Sequence, residues 1–341
     1  MSETISDIGE FGLIDRIHEL IKKEGIQAPG LVLGIGDDTA SIRPQAGFDI
    51  LVTCDSLVEG RHFLPDHTTA LELGRRAMTV NISDIGAMGG TPLYALISLG
   101  LKSDTLVTDV ESLYSGFLQE LNPFRASIIG GNITKVVGAN FIDITLLGEA
   151  EKGKILLRSK AQSGDAILVT GYPGQAVAGL ELLLHSEKPE EFSDNPLVRA
   201  YVTPVHRANE GKAVAQSGYA HAMIDTSDGF LADLGHICEE SGVGAVLVQS
   251  NLPMNDDIRQ ATKRLNQDPY ELIMRDSDDY ELIITCPREN AEKIRTVVSE
   301  VSQTLVTEVG RITDARGEIK LILPDGKERH LQPTGWDHFK K

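Results

Sequence analysis

The strongest constraint on the fold is an alternation that runs the length of the chain. Short apolar runs of strand length are separated by longer segments in which apolar residues recur every three or four positions. Strand-like runs fall at residues 31–35, 50–53, 94–101, 127–129, 141–147, 166–170, 222–224, 245–248, 281–285 and 319–323. Helical spacing covers residues 9–23, 70–88, 108–121, 175–185, 204–216, 228–241, 256–265 and 289–301. Strands and helices mixed along a whole chain, with no internal repeat, predict an α/β or α+β protein. At 341 residues there is chain for about two domains, with a core large enough to need neither disulfides nor a structural metal. The polar stretch at residues 149–154 (EAEKGK) follows a strand-like run and marks the expected boundary, giving domains at 1–150 and 151–341.

Charge narrows the function classes. Acidic residues number 50 against 32 basic, a net charge of −18. Phosphate neutralisation needs a basic excess, so a nonspecific nucleic-acid binder is not expected. The three cysteines, Cys54, Cys238 and Cys286, are far apart and form no C-x-x-C pair, which fits a reducing compartment. Residues 1–10 hold acids and no apolar core of a leader, and no apolar run approaches the ~18 residues of a membrane span. The expectation is a cytoplasmic protein without membrane contact.

Five acidic clusters stand at the ends of predicted elements. Residues 34–39 (GIGDDT) follow an apolar run, and Asp37 and Asp38 suit either a cation or an ordinary acidic turn. Asp55 ends the run at 50–53, where ligands often sit in α/β proteins, although a helix-capping acid occupies the same kind of place. In the helix at 70–88, Leu73, Ala77, Val80, Asp84 and Ala87 share one face, which places Asp84 in an apolar stripe. A carboxylate there needs a cation, several donors, or an ion pair with Arg75 or Arg76. Asp225-Thr226-Ser227-Asp228-Gly229 joins a strand to a helix, a position for a cap or for a phosphate. Asp276-Ser277-Asp278-Asp279-Tyr280-Glu281 is expected, taken alone, to be a solvated turn. Taken together, the clusters point to a phosphate site built on several Mg²⁺ ions, because oxygen donors suit hard cations and zinc prefers His and Cys.

The ordered set of segments resembles the thiamine-monophosphate kinases, of the superfamily that includes aminoimidazole ribonucleotide synthetase. The segments are GEFGL at 9–13, GIGDD at 34–38, VTCDSLVEGRHF at 52–63, NISDIGAMGGTP at 81–92 and GGNIT at 130–134. LRSKAQSGD at 157–165, IDTSDGFLADL at 224–234, DYEL at 279–282 and GWDHF at 335–339 complete the set. The resemblance implies an N-terminal ATP/Mg²⁺-binding and dimerisation domain whose strands form a barrel shared across a homodimer, and a C-terminal α/β layer domain. It implies ATP-dependent phosphorylation of thiamine monophosphate to thiamine diphosphate. Carried across, Asp37, Thr53, Cys54, Asp55, Asp84, Asn132, Asp225 and Asp228 match metal positions. Tyr114, Gly131, Asn132, Arg158 and Ser227 match nucleotide contacts, and His62, Asp278 and Trp336 match substrate contacts. From the residues alone, His62 reads as a structural histidine and Trp336 as a packing anchor.

Three positions depart from the family pattern. Asn132 stands for an aspartate, so one negative charge is lost while a carbonyl oxygen is kept. Cys54 stands for a second Thr or Ser, and a thiol is a poor Mg²⁺ ligand, leaving its backbone carbonyl. Asp276-Ser277-Asp278-Asp279 replaces Gly-Gly-Glu-Asp. The expected reaction joins two anionic phosphates, and Mg²⁺ between them would offset their repulsion. The acceptor is already an ionised phosphate oxygen, so no residue is expected to serve as a general base. Two other readings are a non-catalytic or altered-specificity paralogue that binds nucleotide or thiamine phosphates, and another ATP-dependent enzyme of the same superfamily.

Overall fold

Extended segments of up to eleven residues dominate the first half of the chain. The computed structural model describes residues 3–36, 39–186, 188–192 and 194–333. The chain divides into two compact units, residues 1–85 with 90–152, and residues 86–89 with 153–341.

In the first unit the strands are β1 (Leu31–Leu33), β2 (Ser41–Ile42), β3 (Phe48–Val58), β4 (Thr91–Leu101), β5 (Ser127–Lys135) and β6 (Phe141–Glu151), and the helices are α1 (Ile5–Glu24), α2 (Ala70–Ala87) and α3 (Val107–Leu121). β1 and β2 form a small ribbon, and the other four make a sheet in the order β3-β6-β4-β5. β6 runs antiparallel to both β3 and β4, whereas β4 and β5 are parallel. β3 extends well past the apolar run at 50–53 because polar residues alternate with Leu51 and Leu57, which are buried. Period-two alternation is what a sheet with one covered face requires.

α2 departs from its sequence reading. It is buried on most of its circumference, by Ala77, Met78, Ile82 and Ile85 and also by Thr79, Asn81 and Ser83. Leu73, Val80 and Asp84 are half-buried, so the stripe read from spacing is not its most covered face. α2 and α3 cross closely: a Cβ on Gly74 would stand 2.1 Å from the Leu113 carbonyl oxygen. The crossing therefore depends on the missing side chain.

In the second unit the strands are β7 (Ala166–Thr170), β8 (Ala222–Asp225), β9 (Gly244–Val248), β10 (Leu282–Cys286), β11 (Val306–Thr313), β12 (Ile319–Ile322) and β13 (Glu328–Leu331), and the helices are α4 (Gln175–Leu184), α5 (Pro196–Val202), α6 (Ala208–Ser217), α7 (Phe230–Ser241), α8 (Asp256–Leu265), α9 (Pro269–Ile273) and α10 (Ala291–Val301). They form a seven-stranded sheet, β13-β12-β9-β11-β7-β10-β8. Only β9 and β12 pair in parallel among the described strands of this sheet. Phe230, Leu234 and Ile237 of α7 cover Ile167, Val169, Ile224 and Ile283 on one face. Val214, Ile294 and Val298 of α6 and α10 cover Leu168, Met223, Leu282 and Ile284 on the other. Cover on both faces explains why β7, β8 and β10 read as unbroken apolar runs. No described helix is long and apolar enough to cross a membrane.

Candidate active site

Within the first unit, β3 and α2 bring two of the expected residues, Thr53 and Asp84, into contact. The Thr53 hydroxyl donates to Asp84 Oδ2, so the half-buried Asp84 carboxylate is oriented by the strand. Asp55 lies two residues further along the same face of β3. Arg75, expected as one possible partner of Asp84, instead pairs with Glu120 at 2.6 Å.

Cys54 and Asn132 lie on the opposite face of that sheet. Register places Ser56 beside Asp143, Asp143 beside Ser98, and Ser98 beside Asn132. Strand alternation puts Cys54 on this same face, where its Sγ lies 3.5 Å from Asp143 Oδ1 and accepts from the Thr145 hydroxyl at 3.5 Å. Ser56 Oγ donates to Asp143 Oδ2. The described metal residues expected in this unit, Thr53, Cys54, Asp55, Asp84 and Asn132, therefore do not converge through their side chains onto one face. Gly131 neighbours Asn132 on β5, and a Cβ there would stand 2.0 Å from the Ile97 carbonyl oxygen.

Tyr114 lies inside α3, buried edge-on against Phe117 with ring centroids 5.2 Å apart, and burial raises its hydroxyl pKa. The half-buried His62 accepts from the Val58 N–H through Nδ1 at 3.0 Å. Asp37 and Trp336 lie outside the described residues.

In the second unit the segment 225–229 forms an acid-lined turn between β8 and α7. Asp225 ends β8 fully covered, Asp228 is half-buried, and Ser227 points to solvent. A third acid, Asp233, closes the group from the first turn of α7: it is buried, and its Oδ2 accepts the Asp228 N–H at 3.0 Å. Burial first, and then the charges of Asp225 and Asp228, push Asp233 up to about 8. Ligand atoms of Asp228, Asp233 and His236 lie within 4.8 Å of one another. Asp233 reads in the sequence as an ordinary helix residue. Its sign was an acid five positions after Asp228 that shares its side of the helix with the apolar Phe230, Leu234 and Ile237.

Arg158 stands exposed on a short 3₁₀ turn, where its charge partly offsets the acids at Asp233. Its carbonyl is held by the Ser241 hydroxyl at 2.7 Å. Carboxylates with little nitrogen or sulfur make a donor set suited to a hard divalent cation. Concentrated negative charge around a buried acid is the electrostatic condition that such a cation relieves.

The segment 276–281 corrects its sequence reading, since it is not a solvated turn. Asp279 and Glu281 are 8% and 2% exposed. Asp279 caps α4, its carboxylate accepting the N–H groups of Gly174 at 2.6 Å and Ala176 at 2.8 Å. Burial nevertheless pushes it up to about 6. Glu281 takes a two-pronged pair from Arg207, at 2.7 and 2.6 Å, and the Thr170 hydroxyl at 2.6 Å. Asp278, the acid expected to contact substrate, is half-buried and directly precedes the anchored Asp279.

Residues 36–150 match the family described as AIR synthase related protein, N-terminal domain, and residues 162–322 match its C-terminal domain. Over 335 residues the chain is 33% identical to the thiamine-monophosphate kinase of Aquifex aeolicus strain VF5, covering 98% of this chain and 99% of that protein. Among solved structures, thiamine-monophosphate kinase from Stenotrophomonas maltophilia K279a is 31% identical with a TM-score of 0.79, over 94% of this chain and 98% of that one. The structure of AaThiL complexed with AMPPCP and TMP is 34% identical with a TM-score of 0.75, over 98% of both chains.

Proposed function

The chain belongs to the AIR synthase related family and, within it, to the thiamine-monophosphate kinases, and we propose that it transfers the terminal phosphoryl group of ATP directly to the phosphate of thiamine monophosphate. The observation that carries this reading is the turn at 225–229, where Asp225, Asp228 and Asp233 crowd together beside Arg158. A relative of 34% identity complexed with an ATP analogue and TMP supports the choice of both substrates.

Asp37, Thr53, Cys54, Asp55, Asp84, Asn132, Asp225 and Asp228 would hold Mg²⁺, Cys54 through its carbonyl. Bound there, Mg²⁺ offsets the charge of the phosphates and favours in-line approach. The chain's own contribution is positioning. Arg158 supplies a fixed cation toward the nucleotide phosphates, with Gly131, Asn132 and Ser227 as further nucleotide contacts. Tyr114, being buried, takes part only if α3 moves. His62, Asp278 and Trp336 hold the acceptor, Trp336 offering a ring face to the thiazolium cation. No residue serves as general base. In this reading residues 1–150 carry most of the Mg²⁺ and nucleotide contacts and the homodimer contact, residues 151–341 form the second domain, and the protein works in the cytoplasm.

A second reading, a paralogue that binds these phosphates without turnover, is favoured by one observation: Cys54 and Asn132 sit across the sheet from Thr53 and Asp55. Product analysis with ATP, Mg²⁺ and thiamine monophosphate decides. Thiamine diphosphate formed in proportion to ADP supports the kinase. No product at saturating Mg²⁺ favours the paralogue. Phosphorylation of a different acceptor points to another activity of the superfamily.

A further inference from the structure

Thr226 is completely buried and lies between two residues that bear on phosphate chemistry, Asp225 and Ser227. Its own contacts run elsewhere. The Thr226 N–H donates to the Glu281 carbonyl at 2.7 Å, and its carbonyl accepts the Tyr280 N–H at 2.9 Å. The hydroxyl Oγ1 accepts the Glu281 N–H at 3.0 Å. Three bonds from one residue thus stitch the turn at 225–229 to the segment at 276–281.

The far side of that segment is pinned as well. Ser277 Oγ accepts the Val177 N–H at 3.1 Å, and Asp279 holds the N-terminus of α4. The Glu281 side chain is fixed by Arg207 and Thr170, and Thr170 Oγ1 also accepts the Leu282 N–H at 2.7 Å. Between the pins, Tyr280 is held at φ 55°, a left-handed conformation that costs energy in a tyrosine. Gly229 closes the contact from the other loop, since a Cβ there would stand 2.5 Å from the Arg275 carbonyl oxygen.

We propose that Thr226 is a positioning residue for phosphoryl transfer, its hydroxyl clasping the segment that carries Asp278 to the turn that carries Asp225, Ser227 and Asp228. This rests on the kinase reading above for the roles of those four residues. The Glu281 amide is buried, and an amide left without an acceptor pulls away from its site or admits water. Either response relaxes Tyr280 from its strained conformation and loosens the segment that carries Asp278 on its Thr226 side. Small misplacement of reacting groups lowers turnover more than it lowers binding.

The test compares Thr226→Val with Thr226→Ser. Valine keeps the shape and loses the acceptor, whereas serine keeps the acceptor and loses a methyl. The clasp requires Thr226→Val to lower kcat for thiamine diphosphate formation by about tenfold with KM for ATP changed less than about threefold, and Thr226→Ser to restore kcat. A packing role gives the opposite ranking, with valine active and serine impaired, and that ranking overturns the proposal. Hydrogen exchange at the Glu281 amide supplies a readout independent of turnover. It should quicken about tenfold in Thr226→Val and stay slow in Thr226→Ser. Unchanged exchange in Thr226→Val sinks the clasp even if wild type makes no product. Failure of the kinase reading shows separately, as absent product in wild type with the exchange difference intact. If Thr226→Val does not fold, Thr226→Ser alone decides, because a serine variant as slow as an alanine variant leaves no role for the hydroxyl.

Discussion

Asn132 and Asp84 are the residues at which charge decides most. Asp84 is oriented by the Thr53 hydroxyl from β3. Asparagine at 84 would still accept that hydroxyl through its carbonyl oxygen, so the fold should survive Asp84→Asn while the anionic ligand is lost. The expected outcome is loss of Mg²⁺-dependent binding of an ATP analogue by calorimetry, with an unchanged circular dichroism spectrum. Unaltered affinity would detach Asp84 from the nucleotide. Asn132 poses the converse case, an amide on an exposed position of β5 where the family pattern has an acid. Asn132→Asp should lower the Mg²⁺ concentration needed for half-maximal activity, by a few-fold if a single ligand charge is restored. A titration superimposable on wild type would place Asn132 outside the metal shell. The motif residues were legible because acids after apolar runs stand out in one dimension. Asp233 and Glu281 were not, because their roles come from burial, and burial depends on which elements cover them.

At the scale of elements, the N-terminus of α4 shows how a distant segment completes a helix. No residue beside Gln175 caps it; Asp279, about a hundred positions away, does so. Asp279→Ala leaves two buried N–H groups without acceptors and should cost about 1–2 kcal/mol at pH 7 by urea denaturation. The pH dependence has a definite sign. The carboxyl titrates near 3.8 when unfolded and at about 6 when folded, so between those values the folded chain binds more protons. The stabilisation from that proton is fully present below pH ~4 and is lost as pH rises through ~6. The gap between wild type and Asp279→Ala should therefore widen from pH 7 to pH 5, and a gap that narrows would contradict the raised pKa. Gly229→Ala tests the neighbouring contact. At φ 111°, with backbone atoms 2.5 and 2.9 Å from the new Cβ, alanine should cost about 1–3 kcal/mol. Loss of ATP-analogue binding without loss of stability would mean that the turn moved and the core did not.

Elements themselves were legible where their apolar faces were. β7 and α8 match their spacing to the residue, and β10 to within one position. β11 escaped, although it lies inside the seven-stranded sheet, because Thr307, Glu308, Gly310 and Arg311 interrupt it and its register shifts between Glu308 and Gly310. The helices α5 and α9 are too short, at seven and five residues, to show a period.

At the scale of the whole molecule, the outward face of the first sheet carries an exposed apolar patch. Val52 is 63% exposed, and Ile50 and Leu96 are 36% and 37% exposed on that same face. The register joins them into one patch, since Cys54 pairs with Thr145 and Thr145 with Leu96. Spacing along one chain could not reveal this, because the patch takes shape only when β4 lies beside β6. An apolar stripe on a sheet face is unfavourable in water and favourable against a like surface. The dimer implied by the family resemblance would give it such a partner, a second copy closing the two sheets into a shared barrel. The expected mass by light scattering at micromolar concentration is twice the 37.0 kDa of one chain. Val52→Arg places a charge in the patch and should shift the mass toward the monomer, because an unpaired charge buried at an interface costs several kcal/mol. The circular dichroism spectrum should not change, since Val52 points away from the core of its own unit. Alkylation of Cys54, exposed on the same face, should be slow in wild type and fast in Val52→Arg. A wild-type monomer with a freely reactive Cys54 would remove the shared barrel and leave the first unit to bind nucleotide alone.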